Sequence, residues 1–242
     1  LSSNDMSGKI PREIGKMVAL KNLALKGNDF SGKLPIELTK LKNMEWMYLA
    51  SNQLTGKIPE GFRDMIEFKY LNLSNNKFSG IIPEIFGNLN KLQYLNLSQN
   101  QLSGAIPATI GELNIYRLNL EFNQLTGSIP VELGNLIDIV HLNLASNKLD
   151  GNIPHSLFTL NRIKKLELQN NQLTGELPDL IAGLDVLEEL NLSNNRITGS
   201  IKNNFAKLEN LKKLNLSFNY FEGNIPMELF TKMNLDMLYL HA

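Results

Sequence analysis

Apolar residues recur along this chain with a period of 24 residues, and an asparagine closes each apolar phrase. The anchor is Leu-x-Leu-x-x-Asn, as in Leu71-Asn72-Leu73-Ser74-Asn75-Asn76. Its asparagines are Asn4, Asn28, Asn52, Asn76, Asn100, Asn123, Asn147, Asn171, Asn195 and Asn219. The step is 24 residues except between Asn100 and Asn123, where it is 23. The in-and-out alternation of Leu-x-Leu predicts a short strand in every period. An apolar residue follows two positions after each Asn, then Gly, then Ile or Leu before Pro, as in Leu54, Gly56, Ile58 and Pro59. All nine prolines occupy that slot, and Lys202 stands in the tenth.

Self-similarity at a fixed period decides the fold before any other signal. One three-residue strand cannot bury its apolar side, but stacked copies complete a parallel sheet with the leucines inside. The Asn amide can bond backbone groups that the turn would otherwise bury unpaired. Gly permits the tight turn, and Pro, lacking an N–H, suits the start of the outer segment. A stretch such as Glu84-Ile85-Phe86-Gly87-Asn88-Leu89 has room only for a short helical or 3₁₀ piece. A wide element outside and a narrow strand inside force the stack to curve. The expected architecture is an α/β solenoid of about ten repeats whose parallel sheet lines the concave side. Ten strands at about 4.8 Å spacing span on the order of 40 Å, which suits a peptide or protein face better than a metabolite.

Residues 1–242 read as one repeat domain without linkers. Leu1 is already the second leucine of an anchor, and Ala242 stops one residue short of the next expected Asn. Neither end carries a polar capping unit, which solenoids need, so a part of a longer solenoid is expected. The missing residue of the short repeat falls between Gly111 and Leu118 and should disturb the outer segment there.

Charge adds little, because 24 basic residues balance 24 acidic ones, which gives no argument for nucleic acid or a membrane surface. No apolar run reaches the 18 or so residues of a membrane span, and the first residues show no signal-peptide pattern. Cysteine is absent, so disulfides and thiolate sites are excluded. The three histidines, His141, His155 and His241, show no pairing with a nucleophile and no metal spacing. No phosphate loop or dinucleotide fingerprint occurs. A catalytic centre, a cofactor and a metal are therefore not expected.

Aligned on Leu-x-Leu, the residue before the first leucine and the one between the leucines face solvent on the concave sheet. These columns bring Trp46, Tyr48, Tyr70 and Tyr94 together on three adjacent strands. Rigid aromatic rings are frequent interface anchors. Arg117, His141 and Lys165 follow on the next strands, with Glu121 and Glu167 nearby. The nine residues read as an apolar anchor beside a cationic groove, complementary to an aromatic or apolar side chain followed by acidic groups. The competing interpretation is structural: aromatics suit strands, and the charges form a solvated ladder.

Leu118-Asn119-Leu120-Glu121-Phe122-Asn123-Gln124-Leu125-Thr126-Gly127-Ser128-Ile129-Pro130 resembles the plant-type leucine-rich repeat, and in-phase copies cover essentially the whole chain. The resemblance implies a twisted right-handed superhelix with a second short strand around Thr-Gly-x-Ile. It also implies the ectodomain of a receptor-like kinase or receptor-like protein, in cell-surface signalling or defence. The ligand would be a peptide or protein on the concave face, and a co-receptor could dock on a lateral edge. The implied location is the extracellular face of the plasma membrane, or secretion. Inhibitors of cell-wall-degrading polygalacturonases share the subclass, and an intracellular scaffold is a third possibility. In a secreted chain Asn72, Asn96, Asn191 and Asn215 lie in Asn-x-Ser sequons and could carry glycans. The family's cysteine-paired caps are missing. None of the five arginines forms the Arg-x-Arg pair with which some receptors of this type clamp a peptide carboxylate.

Overall fold

Every anchor phrase within the described part of the chain folds as its alternation requires. The structure, a computed structural model, describes residues 2–231 and 235–241, so Leu1 and Ala242 lie outside the described residues. Ten three-residue strands, from Asn22–Ala24 through Trp46–Tyr48, Tyr70–Asn72, Tyr94–Asn96 and Arg117–Asn119 to Met237–Tyr239, form one parallel sheet in chain order. The middle residue of each strand points into the core. Met47, Leu71, Leu95, Leu118, Leu142 and Leu166 are wholly buried there, each contributing roughly 1.5–3 kcal/mol. The register is in phase throughout, so Trp46 lies beside Tyr70, Tyr70 beside Tyr94, and Tyr94 beside Arg117. A one-residue slip would turn every leucine to water.

The asparagines form the second repeated device. Asn52 Nδ2 donates to the carbonyls of Leu49 at 3.1 Å and Ala50 at 3.3 Å in its own turn, and to Leu25 of the preceding repeat at 3.0 Å. Its Oδ1 accepts the Phe30 N–H at 3.0 Å. Asn76, Asn123, Asn147, Asn171 and Asn195 repeat this pattern. One amide thus closes a turn and fastens it to two places in the repeat before.

After the Asn, a second set of eight strands, from Ser7–Lys9 to Gln172–Thr174, runs around the Thr-Gly segments. The set continues as the single bridges Glu176–Thr198 and Ser200–Glu222. Gly56 shows why glycine recurs here. Its φ is +84°, and a Cβ would sit 2.8 Å from Lys33 Cγ. The outer face carries 3₁₀ helices such as Glu84–Asn88, each led by the slot that Pro fills, with φ of −66° at Pro83. Lys202 takes the same role with φ −92°, and a helix over Asn203–Lys207 follows it. The slot therefore needs an extended conformation and not proline itself.

The 23-residue repeat keeps its 3₁₀ helix at Ala108–Glu112. The residue after such a helix usually has ψ near 60°, as Leu89 does at 66°, but Leu113 is extended with ψ 148°. The deletion is absorbed in the return turn, just beyond the outer helix expected to be disturbed.

Asn123→Ala should lower stability by about 2–4 kcal/mol, because a truncated amide leaves several buried backbone groups unpaired. Urea unfolding followed by far-ultraviolet circular dichroism checks this. A loss no larger than that of an exposed substitution would remove the ladder from the account.

Candidate functional site

The four predicted aromatics form one continuous row on the concave sheet. Trp46 and Tyr70 stack with centroids 4.0 Å apart and planes 16° from parallel. Tyr70 and Tyr94 follow at 5.9 Å and 29°, and Tyr48 tilts against Trp46 at 6.2 Å. All four are half-buried, neither lost in the core nor scattered. Tyr116 joins them from the rim: its hydroxyl lies 3.2 Å from the Tyr70 hydroxyl, and its ring is 6.3 Å from Tyr70 and 6.5 Å from Tyr94. Burial of its hydroxyl end, with the Tyr70 hydrogen bond next in weight, pushes the Tyr116 phenol up to about 12. Burial likewise raises Tyr48. The Tyr116 and Tyr48 phenols therefore remain neutral at physiological pH.

The charged residues pair with one another instead of lining an open cationic groove. The Arg117 guanidinium sits 5.8 Å from the Tyr94 ring centroid and caps that end of the row. His141 Nε2 contacts the Glu167 carboxylate, so His141 is not simply flanked by two cations. Lys165 bonds Glu189 at 2.9 Å, and Lys213 reaches the same carboxylate at 3.0 Å. Glu121 accepts a hydrogen bond from the buried Asn143 Nδ2 at 3.2 Å. Burial, then the negative charge of Glu167, raises its carboxyl above the usual range. The cations expected to line a groove thus form a mixed surface, where each faces an acid or a ring.

One residue further toward the strand N-termini, the rim carries two ion ladders. Glu45 bridges Lys69 at 2.7 Å and Lys21 at 3.1 Å, and Glu188 bridges Lys164 and Lys212, each at 2.9 Å. The Lys164 bond, then that from Lys212, pulls Glu188 down to about 2. Between the ladders lie Gln93, Tyr116 and Val140, an uncharged gap at the middle of the rim.

The sequon asparagines all lie in the column between the leucines. Asn72, Asn191 and Asn215 Oδ1 each accept both the N–H and the hydroxyl of the serine two residues on, and Asn96 accepts the N–H of Ser98. The sequon phrase has a structural use here whether or not a glycan is attached.

Family models described as leucine-rich repeat match residues 66–125, 162–221, 185–242, 43–65 and 138–160, together more than half of the chain. The chain belongs to the leucine-rich repeat family. A comparison with curated proteins gives no match. Among solved structures, it is similar to the Arabidopsis receptor kinase HAESA in complex with the peptide hormone IDA and the co-receptor SERK1. That match has 37% identity and a TM-score of 0.95, and covers 99% of this chain and 40% of the other. It is similar to the plant peptide hormone receptor RGFR1 in complex with RGF2, with 31% identity, a TM-score of 0.83 and coverage of 98% and 42%. It is also similar to a plant ice-binding protein, with 30% identity, a TM-score of 0.84 and coverage of 99% and 79%. The chain is a plant-type leucine-rich repeat protein that spans about two fifths of the length of the receptor structures it matches.

Two aromatics on this leucine-rich repeat surface escaped the column reading. Tyr116 sits one place before the outward column and leans back over the preceding two strands. Phe122 is exposed beside Glu121, in a left-handed conformation (φ 51°) that costs a non-glycine residue free energy. Its signal was available: the same column holds Ser51, Asn75, Gln99, Ser146, Asn170 and Asn194, and a second exposed phenylalanine, Phe218.

Glu121→Gln should raise stability at pH 7. A carboxyl whose folded pKa lies above its unfolded value costs stability as pH rises from the unfolded value through the folded one, and the neutral amide escapes that cost. The gain in urea midpoint should vanish near pH 3, where both forms are neutral. An equal gain at both pH values would assign the effect to packing.

Proposed function

We propose that this chain is a non-catalytic recognition module that binds an extended peptide or a protein segment along its concave sheet. The reading places it in the ectodomain of a receptor-like kinase or receptor-like protein, at the outer face of the plasma membrane or secreted. One observation carries it: five aromatic side chains, Trp46, Tyr48, Tyr70, Tyr94 and Tyr116, share one row on a preformed sheet. Rings held by their neighbours lose little entropy on binding, which is why such rows make strong anchors. The peptide-hormone complexes among the similar structures support the ligand class. A co-receptor on a lateral edge is part of the same reading. No helix among the described residues is long and apolar enough to cross a membrane.

A second reading has its own support. The column Asn72, Asn96, Asn119 and Asn143, at constant strand spacing, forms a regular amide ladder, and one similar structure is an ice-binding protein. The ladder's Oδ1 atoms are all engaged by backbone N–H groups two residues on, which leaves a weaker template than free amides would.

Peptides selected from a displayed random library on the intact chain provide a ligand for the test. Trp46→Ala and Tyr70→Ala should each weaken binding of the selected peptides about tenfold or more, as expected for central aromatic anchors, with unfolding midpoints nearly unchanged. Unchanged affinity in both variants sinks the recognition face. Inhibition of ice recrystallisation by the chain, lost in Asn96→Ala and kept in Trp46→Ala, would favour the second reading.

A further inference from the structure

The side chains of the concave sheet part at its middle. Arg117 leans back to the Tyr94 ring, and Tyr116 reaches back to the Tyr70 hydroxyl. From the next strand onward the lean reverses. His141 turns forward to Glu167, Lys164 to Glu188 and Lys165 to Glu189. Val140, the rim residue at the parting, is too short to span it. A cavity of about 240 Å³ opens there, with Tyr116 and Arg117 on one side, His141, Lys164, Lys165 and Glu188 on the other, and Val140 between. Its lining is mostly apolar. The strands on both sides of the parting are paired with further strands, so the cavity belongs to the interior of the sheet and not to an end. The shortened return turn, extended at Leu113, leads directly into Tyr116, so the irregular repeat and the cavity coincide.

We propose that this cavity is a subsite for one large apolar side chain of a polypeptide ligand, with an adjacent acidic side chain of that ligand bound by Arg117. The proposal rests on the concave recognition reading above and names a second anchor beyond the aromatic row. Size argues for a single side chain. Small-molecule sites run to roughly 300–1,000 Å³, whereas a cavity of about 150 Å³ already holds a benzene ring. The lining argues for carbon, because the lysine stems beside Val140 offer methylene groups while their ammonium tips are drawn off to Glu188 and Glu189. Charge decides the neighbouring residue. Lys164 shares Glu188 with Lys212, and Lys165 shares Glu189 with Lys213. Among the described residues Arg117 pairs with no carboxylate, and its contact with the Tyr94 ring engages no acceptor. A ligand lysine here would face Arg117, Lys164 and Lys165 against the one lining carboxylate, Glu188. A neutral neighbour would leave the guanidinium fork unused, whereas a carboxylate matches its geometry with two parallel hydrogen bonds.

The test titrates the ¹⁵N-labelled intact chain with the blocked dipeptides Phe-Asp, Phe-Asn, Phe-Lys and Ala-Asp, each acetylated and amidated. Phe-Asp should shift the backbone amide resonances of Tyr116, Val140 and Lys164 saturably. It should bind more tightly than the uncharged Phe-Asn by about fivefold, the ratio that an exposed ion pair of ~1 kcal/mol supplies. It should exceed Ala-Asp by about tenfold, because the ring is no longer buried. Phe-Lys should bind more weakly than Phe-Asn. Arg117→Gln should bring Phe-Asp level with Phe-Asn and keep both above their alanine counterpart, which separates the charge from the cavity. Val140→Phe, which fills the cavity, should abolish the response. Shifts that are absent or non-saturable overturn the proposal, as does equal affinity for Phe-Asp and Phe-Asn. So does a preference for Phe-Asp that persists in folded Arg117→Gln, or binding that survives in folded Val140→Phe. If the cavity fails while Trp46→Ala and Tyr70→Ala still weaken binding of selected peptides, the recognition face stands and only this subsite is lost.

Discussion

A buried amide that must satisfy backbone groups in two neighbouring repeats is the constraint on which the rest of this molecule depends. Each ladder Asn bonds carbonyls of its own turn, a carbonyl one repeat back, and an N–H in that repeat's second strand. Leucine packing alone opposes a one-residue slip of one repeat over the next but would tolerate a slip of two. The amide tolerates neither, because any shift leaves buried donors and acceptors unmet on both sides. Register is thereby locked, and a locked register gives the surface columns their meaning. Trp46 faces Tyr70, and Tyr94 faces Arg117, because the asparagines behind them are fixed.

The fold was legible because its causes are local and repeated. Period, strand alternation and turn residues each recur often enough to be read from the chain alone, and Lys202 and the 23-residue repeat show how much variation the frame absorbs. The site was half legible. Column membership follows from register, so the aromatic row could be named in advance. What a column cannot show is where a long side chain goes after it leaves the backbone. Lys165 turns to Glu189, His141 to Glu167, and Tyr116 reaches across two strands to Tyr70. Those choices depend on pairwise electrostatics and rotamers between repeats, and the linear pattern does not encode them. The cationic groove was expected from adding charges down one column, whereas the pairings give each cation an acid or a ring beside it.

The row's geometry bears on what kind of partner it suits. A sugar-binding platform presents ring faces to solvent. Here the faces of Tyr70 are turned toward Trp46 and Tyr94, and its hydroxyl is held by Tyr116. A row stacked face to face in this way suits an extended chain laid across it better than a sugar ring. The half-buried Glu121 follows Arg117's own strand and Glu167 lies two strands beyond, so a ligand crossing from the row would meet both cations and acids.

Fold likeness alone does not choose among functions, since receptor ectodomains and an ice-binding protein share this architecture with the chain. The distinction must therefore lie in the solvent-facing columns, and here those columns carry opposite tendencies. The asparagine column is uniform along several strands, which is what a periodic surface such as a crystal plane would require. The neighbouring column changes character from ring to guanidinium to imidazole to ammonium within six strands. A periodic partner would gain nothing from that change, and each bulky ring would hold it off the amides. An aperiodic chain can use every step of it. The variable column stands beside the uniform one and carries the longer side chains, so a partner on this face meets both. That change of character along the column makes a polypeptide the better match.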